Sequence, residues 1–236
     1  MARQPTVNDH AQANRAAITA RTPTQRAYIR SIHENPQTFV LGPAGTGKTF
    51  IASAIAAQMY LRGDIDKIVI TRPRVEVDEE WGHLPGNLAQ KTAPWAHPIT
   101  EVLEEFMGKA RYLQAMKDNH VEVLPLAFMR GRTLERAFCI LDEAQNTTVR
   151  QMQMFVTRIG EEARVVVNGD IAQKDIKADS GLAWALHMLR LHSNLPAKLI
   201  EFSKSDVVRS EACAAWIQAM TEDEENHGPR LAWLNR

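Results

Sequence analysis

Apolar and polar positions along the chain fall into two alternating kinds of segment. Short apolar stretches recur at Phe39-Val40-Leu41, Lys67-Ile68-Val69-Ile70-Thr71, Val121-Glu122-Val123-Leu124, Phe138-Cys139-Ile140-Leu141, Arg164-Val165-Val166-Val167-Asn168 and Lys198-Leu199-Ile200-Glu201-Phe202. They are short and rich in β-branched residues, as buried strands are. Longer stretches of good helix formers lie between them: Thr24 to Ile32 with Pro23 at the start, Phe50 to Tyr60 closed by Gly63, Ile99 to about Met116, 148–159, 181–191 and 208–220. Proline at a helix start and glycine just past its end are the expected punctuation. Strands alternating with helices predict an α/β fold, a mostly parallel sheet with helices on both faces. Ligands of such sheets bind at the carboxyl ends of the strands. Residues 72–98 break the rhythm with Pro73, Gly82, Pro85, Gly86, Pro94 and Pro98 around Trp81 and Trp95. The pattern predicts an irregular connection there, and one so long in a compact domain is usually functional. Residues 1–22 and 221–236 are polar and predict extensions flanking one domain over 23–220.

The turn after the first strand carries the chemistry. Gly42-Pro43-Ala44-Gly45-Thr46-Gly47-Lys48-Thr49 is a complete phosphate-binding loop, set between a strand and the helix that Phe50 continues. Its glycines allow backbone conformations that a Cβ forbids. The loop amides then turn inward around phosphates, and the helix N-terminus adds a favourable dipole. Lys48 is placed to reach the β- and γ-phosphates, and the Thr49 hydroxyl to hold Mg²⁺.

The strand at 138–141 runs directly into Asp142-Glu143-Ala144-Gln145-Asn146. An acid at a strand end beside such a loop can orient the metal ion, the role expected of Asp142. Glu143 is suited to orient or deprotonate the attacking water. Gln173 follows Asn168-Gly169-Asp170 on a neighbouring strand, and its amide can contact the γ-phosphate or that water. Gln25, shortly before the loop, can both donate to and accept from an adenine edge; the bland alternative is a surface glutamine.

Composition narrows the partners. The 236 residues carry 28 basic and 28 acidic side chains and a formal net charge of zero, so any nucleic-acid site must be a local patch. No stretch approaches the about 20 apolar residues of a membrane span, and the N-terminus lacks the apolar core of a secretory signal. Cys139 and Cys213 have no ligand-like spacing and read as thiols of a reducing cytoplasm.

With these blocks assembled the chain resembles the PhoH-like proteins. The phosphate loop, Leu141-Asp142-Glu143-Ala144-Gln145-Asn146, Thr71-Arg72-Pro73, Leu84-Pro85-Gly86, Met129-Arg130-Gly131-Arg132-Thr133-Leu134, Gly169-Asp170 and Asp206-Val207-Val208-Arg209 match that family in order, over about residues 22–220. The resemblance implies a RecA-like P-loop NTPase fold, similar to the N-terminal motor domain of superfamily 1 helicases. It also implies ATP binding, ATPase activity, RNA-linked roles and ring-shaped oligomers, with a hexamer as the expectation. The chain departs from the family at Val77-Asp78-Glu79-Glu80-Trp81 and at His83, where small and aromatic residues are usual.

A single motor module needs a cation for the γ-phosphate in the transition state, and a neighbouring copy in a ring can supply an arginine. The candidates are Arg209, Arg72, Arg74, Arg130 and Arg132, with Arg209 favoured. Arg72, Arg74, Lys91, Trp81 and Trp95 mix cations with aromatic faces, as single-strand surfaces do; the bland alternative is that both Trp pack the irregular loop or a subunit interface. Arg130 and Arg132 suit a subunit face or a nucleic-acid backbone. The expected function is an Mg²⁺-dependent cytoplasmic ATPase acting as a ring motor on single-stranded RNA or DNA. The first competitor is a nucleotide-gated scaffold with slow hydrolysis and no unwinding. A small-molecule kinase is a distant third, because two acids after the strand suit water attack better than transfer to a hydroxyl.

Overall fold

A computed structural model describes residues 18–73 and 88–208, together with Ala215, Trp216 and Ala219 and, for residues 88–93, the backbone alone. The element order is α1 (Pro23–Glu34), β1 (Gln37–Leu41), α2 (Lys48–Arg62), β2 (Lys67–Arg72), α3 (Leu88–Met107), α4 (Lys109–Lys117), β3 (Val121–Pro125), β4 (Ala137–Leu141), α5 (Val149–Val156), β5 (Arg164–Gly169), α6 (Gly181–Leu191) and β6 (Ala197–Glu201). The six strands form one sheet in the order β3-β2-β4-β5-β1-β6, and every pairing is parallel.

Alternation along the strands builds two cores. Ile68, Ile70, Phe138, Ile140, Val166 and Ile200 point to one face, where α1, α2 and α3 cover them through Tyr28, Ile32, Ile51, Ile55, Ile99 and Leu103. Val69, Cys139, Leu141, Val165 and Val167 point to the other, against Met152 and Phe155 of α5 and Leu182 and Leu186 of α6. Successive strand side chains alternate faces, so a sheet covered twice needs uninterrupted apolar strands. Each fully buried branched or aromatic side chain adds about 1.5–3 kcal/mol over its exposed state. This is the expected RecA-like α/β sheet: the strand bearing the acids, β4, is separated from β1 by the single strand β5.

Four details differ from the sequence pattern. The region read as irregular to residue 98 is helical from Leu88, with Pro94 and Pro98 inside α3. An interior proline costs about 3 kcal/mol, but α3 buries Ala96, Ile99, Val102, Leu103 and Met107 along one stripe, and that packing outweighs the breakers. The helix expected from Ile99 to Met116 is two helices, because Gly108 adopts a φ of 80° and turns the chain. The helix expected over 148–159 stops at Val156, since Arg158 and Gly160 are drawn into backbone hydrogen bonds with Leu134 of 2.8 Å each. The first helix begins at Pro23 as expected, capped by Thr22, and runs two residues further than expected. Arg74, Trp81, His83, Leu84-Pro85-Gly86, Arg209 and Cys213 lie outside the described residues, as do 1–17, 221–236 and most of the expected 208–220 helix. Among the described residues no helix is long and apolar enough to cross a membrane.

Candidate nucleotide site

The loop after β1 is shaped by three glycines with positive φ: Gly42 at 135°, Gly45 at 84° and Gly47 at 87°. Gly42 answers a packing demand as well as a conformational one. A Cβ there would lie 2.6 Å from both the Cβ and the carbonyl oxygen of Phe202, just past β6. The loop is braced from two sides. Gln25 Nε2 of α1 donates to the Thr46 carbonyl at 3.0 Å, and the Val208 amide donates to the Gly45 carbonyl at 3.0 Å. The Thr46 hydroxyl donates to Pro43 O within the loop at 3.1 Å. Gln25 was expected at an adenine edge. In this structure its amide is engaged at both ends, since its Oε1 accepts from the Arg21 amide at 2.7 Å.

Lys48 opens α2 and folds back over the loop, its Nζ donating to Gly42 O at 2.6 Å and Pro43 O at 2.8 Å. Burial pushes its ammonium below the usual lysine range, while Asp170, Asp142 and Glu143 pull it back up. These carbonyls are weak partners for a half-buried ammonium facing three carboxylates. A phosphate would be a better one.

The acids stand where β4 ends, in the middle of the sheet. The Thr49 hydroxyl donates to Asp142 Oδ1 at 3.4 Å, and Asn168 Nδ2 at the end of β5 donates to the same oxygen at 3.4 Å. Tyr28, wholly buried on α1, aims its hydroxyl at Lys48 O (3.2 Å) and Asn168 Oδ1 (3.4 Å). Burial and the adjacent Glu143 carboxylate raise the Asp142 carboxyl above its ordinary range, against the opposing pull of Arg72, Asn168 and Thr49. Two neighbouring carboxyls and a hydroxyl at one strand end suit a hard divalent cation. Asp142 and Thr49 are the residues that could hold it. Among the described residues no cluster of three or more His, Cys, Asp or Glu forms a metal cage, so these two would share the ion with phosphate and water oxygens.

Glu143 sits in a left-handed conformation, φ 52°, rare for a non-glycine residue. Gln145, 1% exposed, ties it down: its Nε2 donates to Glu143 Oε2 at 2.6 Å and to Gln173 O at 3.3 Å, and its Oε1 accepts the Asp170 amide at 3.1 Å. The Gln173 side chain donates to Asp170 Oδ2 at 2.8 Å, within the short turn Ile171–Gln173. Lys48, Thr49, Asp142, Glu143, Asp170 and Gln173 thus share one cleft of about 270 Å³, at the carboxyl ends of β1, β4 and β5, with Ala44, Gly45, Gly47 and Phe50 along its wall.

Other expected residues lie elsewhere. Arg132 is clamped on Glu122 by bonds of 2.8 and 3.0 Å, with Lys67 Nζ on the same carboxylate at 2.6 Å. Arg130 is exposed beyond β3, and Trp95 is half-buried against the α1–α3 core. Arg72 ends β2, near enough to Asp142 to lower its carboxyl. Tyr28, Gln145, Asn168 and Asp170 are site residues to which the motif reading gave no role, although Gln145 and Asp170 stand inside the blocks at 141–146 and 169–170. Asn168 also carries a visible signal, as a polar residue closing an apolar strand.

The arrangement suits a polyphosphate with a divalent ion and a water held against Glu143. Comparison with known proteins gives the family. A family model described as PhoH-like protein matches residues 17–221, and the chain belongs to that family. It is 42% identical over 206 residues to Protein PhoH of Escherichia coli strain K12, covering 86% of this chain and 58% of that protein. It is 41% identical over 212 residues to a PhoH-like protein of Bacillus subtilis, covering 89% and 65%. A PhoH-like protein of Synechocystis is 40% identical over 214 residues, covering 90% and 65%. The chain therefore spans about three fifths of the length of these curated relatives. Among solved structures, the Pif1 helicase from Candida albicans aligns over 91% of this chain and 46% of its own, with 12% identity and a TM-score of 0.46, too low to add to the reading. The domain is a P-loop NTPase and a nucleotide-binding module.

Proposed function

We propose that this member of the PhoH family binds ATP with Mg²⁺, hydrolyses it, and works as a head-to-tail ring, a hexamer, that moves on single-stranded RNA or DNA. One observation carries the hydrolytic reading: Glu143, tethered by Gln145, shares a cleft with the loop lysine and the Thr49–Asp142 pair. When ATP binds, Lys48 Nζ leaves the Gly42 and Pro43 carbonyls for the β- and γ-phosphates. Thr49 and Asp142 would hold Mg²⁺, which would supply charge neutralisation at the phosphate oxygens. Glu143 accepts a proton from water as the water oxygen bonds to the γ-phosphorus and the bond to the ADP oxygen breaks. Gln173 orients that water. Among the described residues no arginine lines the cleft. The transition-state cation then comes from Arg209, next in sequence after the loop-bound Val208, or from a neighbouring copy.

ATP hydrolysis by the purified chain tests this, measured at several protein concentrations, with and without Mg²⁺, single-stranded RNA and single-stranded DNA, with solution mass recorded throughout. Mg²⁺-dependent turnover that rises with assembly and with one polymer supports the ring motor and names its track. Slow turnover indifferent to both polymers supports a nucleotide-gated scaffold instead.

A further inference from the structure

The chain leaves edge strand β3 through a short 3-10 turn, Leu126–Met129. In a 3-10 helix residues three apart lie on one face. Leu126 and Met129 are that pair, 1% and 0% exposed, and anchor the turn in the core. Phe128 is thereby forced outward and is 57% exposed. A lone exposed apolar residue is ordinary. The surroundings of this one are not.

Arg130 is exposed, and among the described residues its side chain has no hydrogen bond or ion pair. Gly131, at φ 80°, turns the chain so that Arg132 reaches back to Glu122. The turn is therefore fixed on both sides, and its ring and guanidinium are held out without collapse onto the body. Lys67 and Arg132 together outweigh the one Glu122 carboxylate, leaving that ion cluster positive. Arg72 pairs in register with Pro125, immediately before the turn. A molecule of zero net charge thus carries a local cationic edge with an open aromatic face. That pairing fits a polyanion whose flat bases are unstacked, and a duplex hides those faces.

We infer that the turn from Leu126 to Arg132 is a contact for single-stranded nucleic acid, in which Phe128 stacks on an unpaired base and Arg130 pairs with a phosphate. The inference rests on the nucleic-acid reading above and assigns the residues that carry it. The turn starts at the carboxyl end of β3, and its last residue, Arg132, reaches back along that edge strand to Glu122.

Fluorescence anisotropy of the full chain tests it, with labelled oligo-rU, oligo-dT and a blunt duplex, for wild type, Phe128→Ala, Phe128→Trp and Arg130→Ala. Phe128→Ala weakens single-strand binding about 5- to 150-fold, the range of one lost base stack, and Phe128→Trp restores it. Arg130→Ala lowers the slope of log affinity against log salt by about one contact. For Phe128→Ala, nucleotide affinity and Tm stay at wild-type values. The rU and dT arms tell RNA from DNA. Wild-type binding that Phe128→Ala leaves intact overturns this assignment while the nucleic-acid reading stands. No binding of either single strand by wild type overturns that reading itself. A fall in solution mass with per-subunit affinity unchanged makes the turn a subunit contact and overturns the inference.

Discussion

Gln145→Leu isolates the tether on Glu143. Leucine has nearly the volume of glutamine, so the buried site stays filled. The change removes a 2.6 Å donor to the Glu143 carboxylate, a 3.3 Å donor to Gln173 O and the 3.1 Å acceptor for the Asp170 amide. A hydrogen bond to a charged group contributes about 1.5–3 kcal/mol. If all of it orients the base in the transition state, kcat falls about 10- to 150-fold. Lys48 and Thr49 touch none of these atoms, so KM for nucleotide stays within about twofold. The orphaned Asp170 amide costs about 1–3 kcal/mol of stability, read separately by denaturant unfolding. Steady-state and single-turnover ATP hydrolysis at matched folded fraction are the assays. Loss of stability with kcat unchanged would refute the tether, and Gln145 would then be only a packing residue. Gln145→Glu sets a carboxylate against Glu143 and reduces kcat at least as far.

Glu143→Gln is expected to keep ATP affinity and lose about 10²- to 10⁴-fold in turnover, the usual share of a general base; turnover near wild type removes Glu143 from the chemistry. Gly181→Ala sets a Cβ 2.5 Å from Thr148 O, 2.6 Å from Thr147 Oγ1 and 2.7 Å from Met152 Cβ. Overpacking of this kind costs about 1–3 kcal/mol or more, a fall of roughly 2–12 °C in Tm, and an unchanged Tm would contradict the packing at this junction. Burial pushes the Glu122 carboxyl up, but hydrogen bonds from Arg132 and Lys67 overcome it and hold it below the usual range. A depressed carboxyl stabilises the fold above its unfolded pKa of about 4.3 and loses that contribution as pH falls through its folded value. The stability gap between wild type and Glu122→Gln is therefore level near neutrality and shrinks below about pH 4.5 in urea titrations. A gap that widens on acidification contradicts the ion cluster.

What was legible along the chain was what is local in it. The loop at 42–49 and the acids at 142 and 143 each carry their chemistry within a few residues, and the apolar strands announce a sheet covered on both faces. Residues that act through the sheet could be given no role from the chain alone, even where, as at Asn168, a polar residue closing an apolar strand marked the position. Asn168 matters because parallel register sets it beside Val40 and brings it to Asp142, and Tyr28 because α1 crosses under both. Arg132 looked available as a free cation, and only its return to β3 shows Glu122 holding it. Pro94 and Pro98 misled for a physical reason: breakers are local, while the packing that overrides them is contributed by α2 and the sheet.

The braces on the phosphate loop make it a mechanical junction. Its Thr46 carbonyl is gripped from α1 and its Gly45 carbonyl from Val208, in the irregular segment that follows β6. Asp206 closes the circle: it accepts from the Ser203 amide and hydroxyl, and burial that would raise its carboxyl is overcome by Ser203 and by the neighbouring Thr22 and Thr24 ahead of Gln25, which lower it. Both margins of the domain are thus moored within a few residues of the phosphate cradle. Tension applied at either margin is delivered to the cradle first, and a ligand that tightens the cradle stiffens both moorings together.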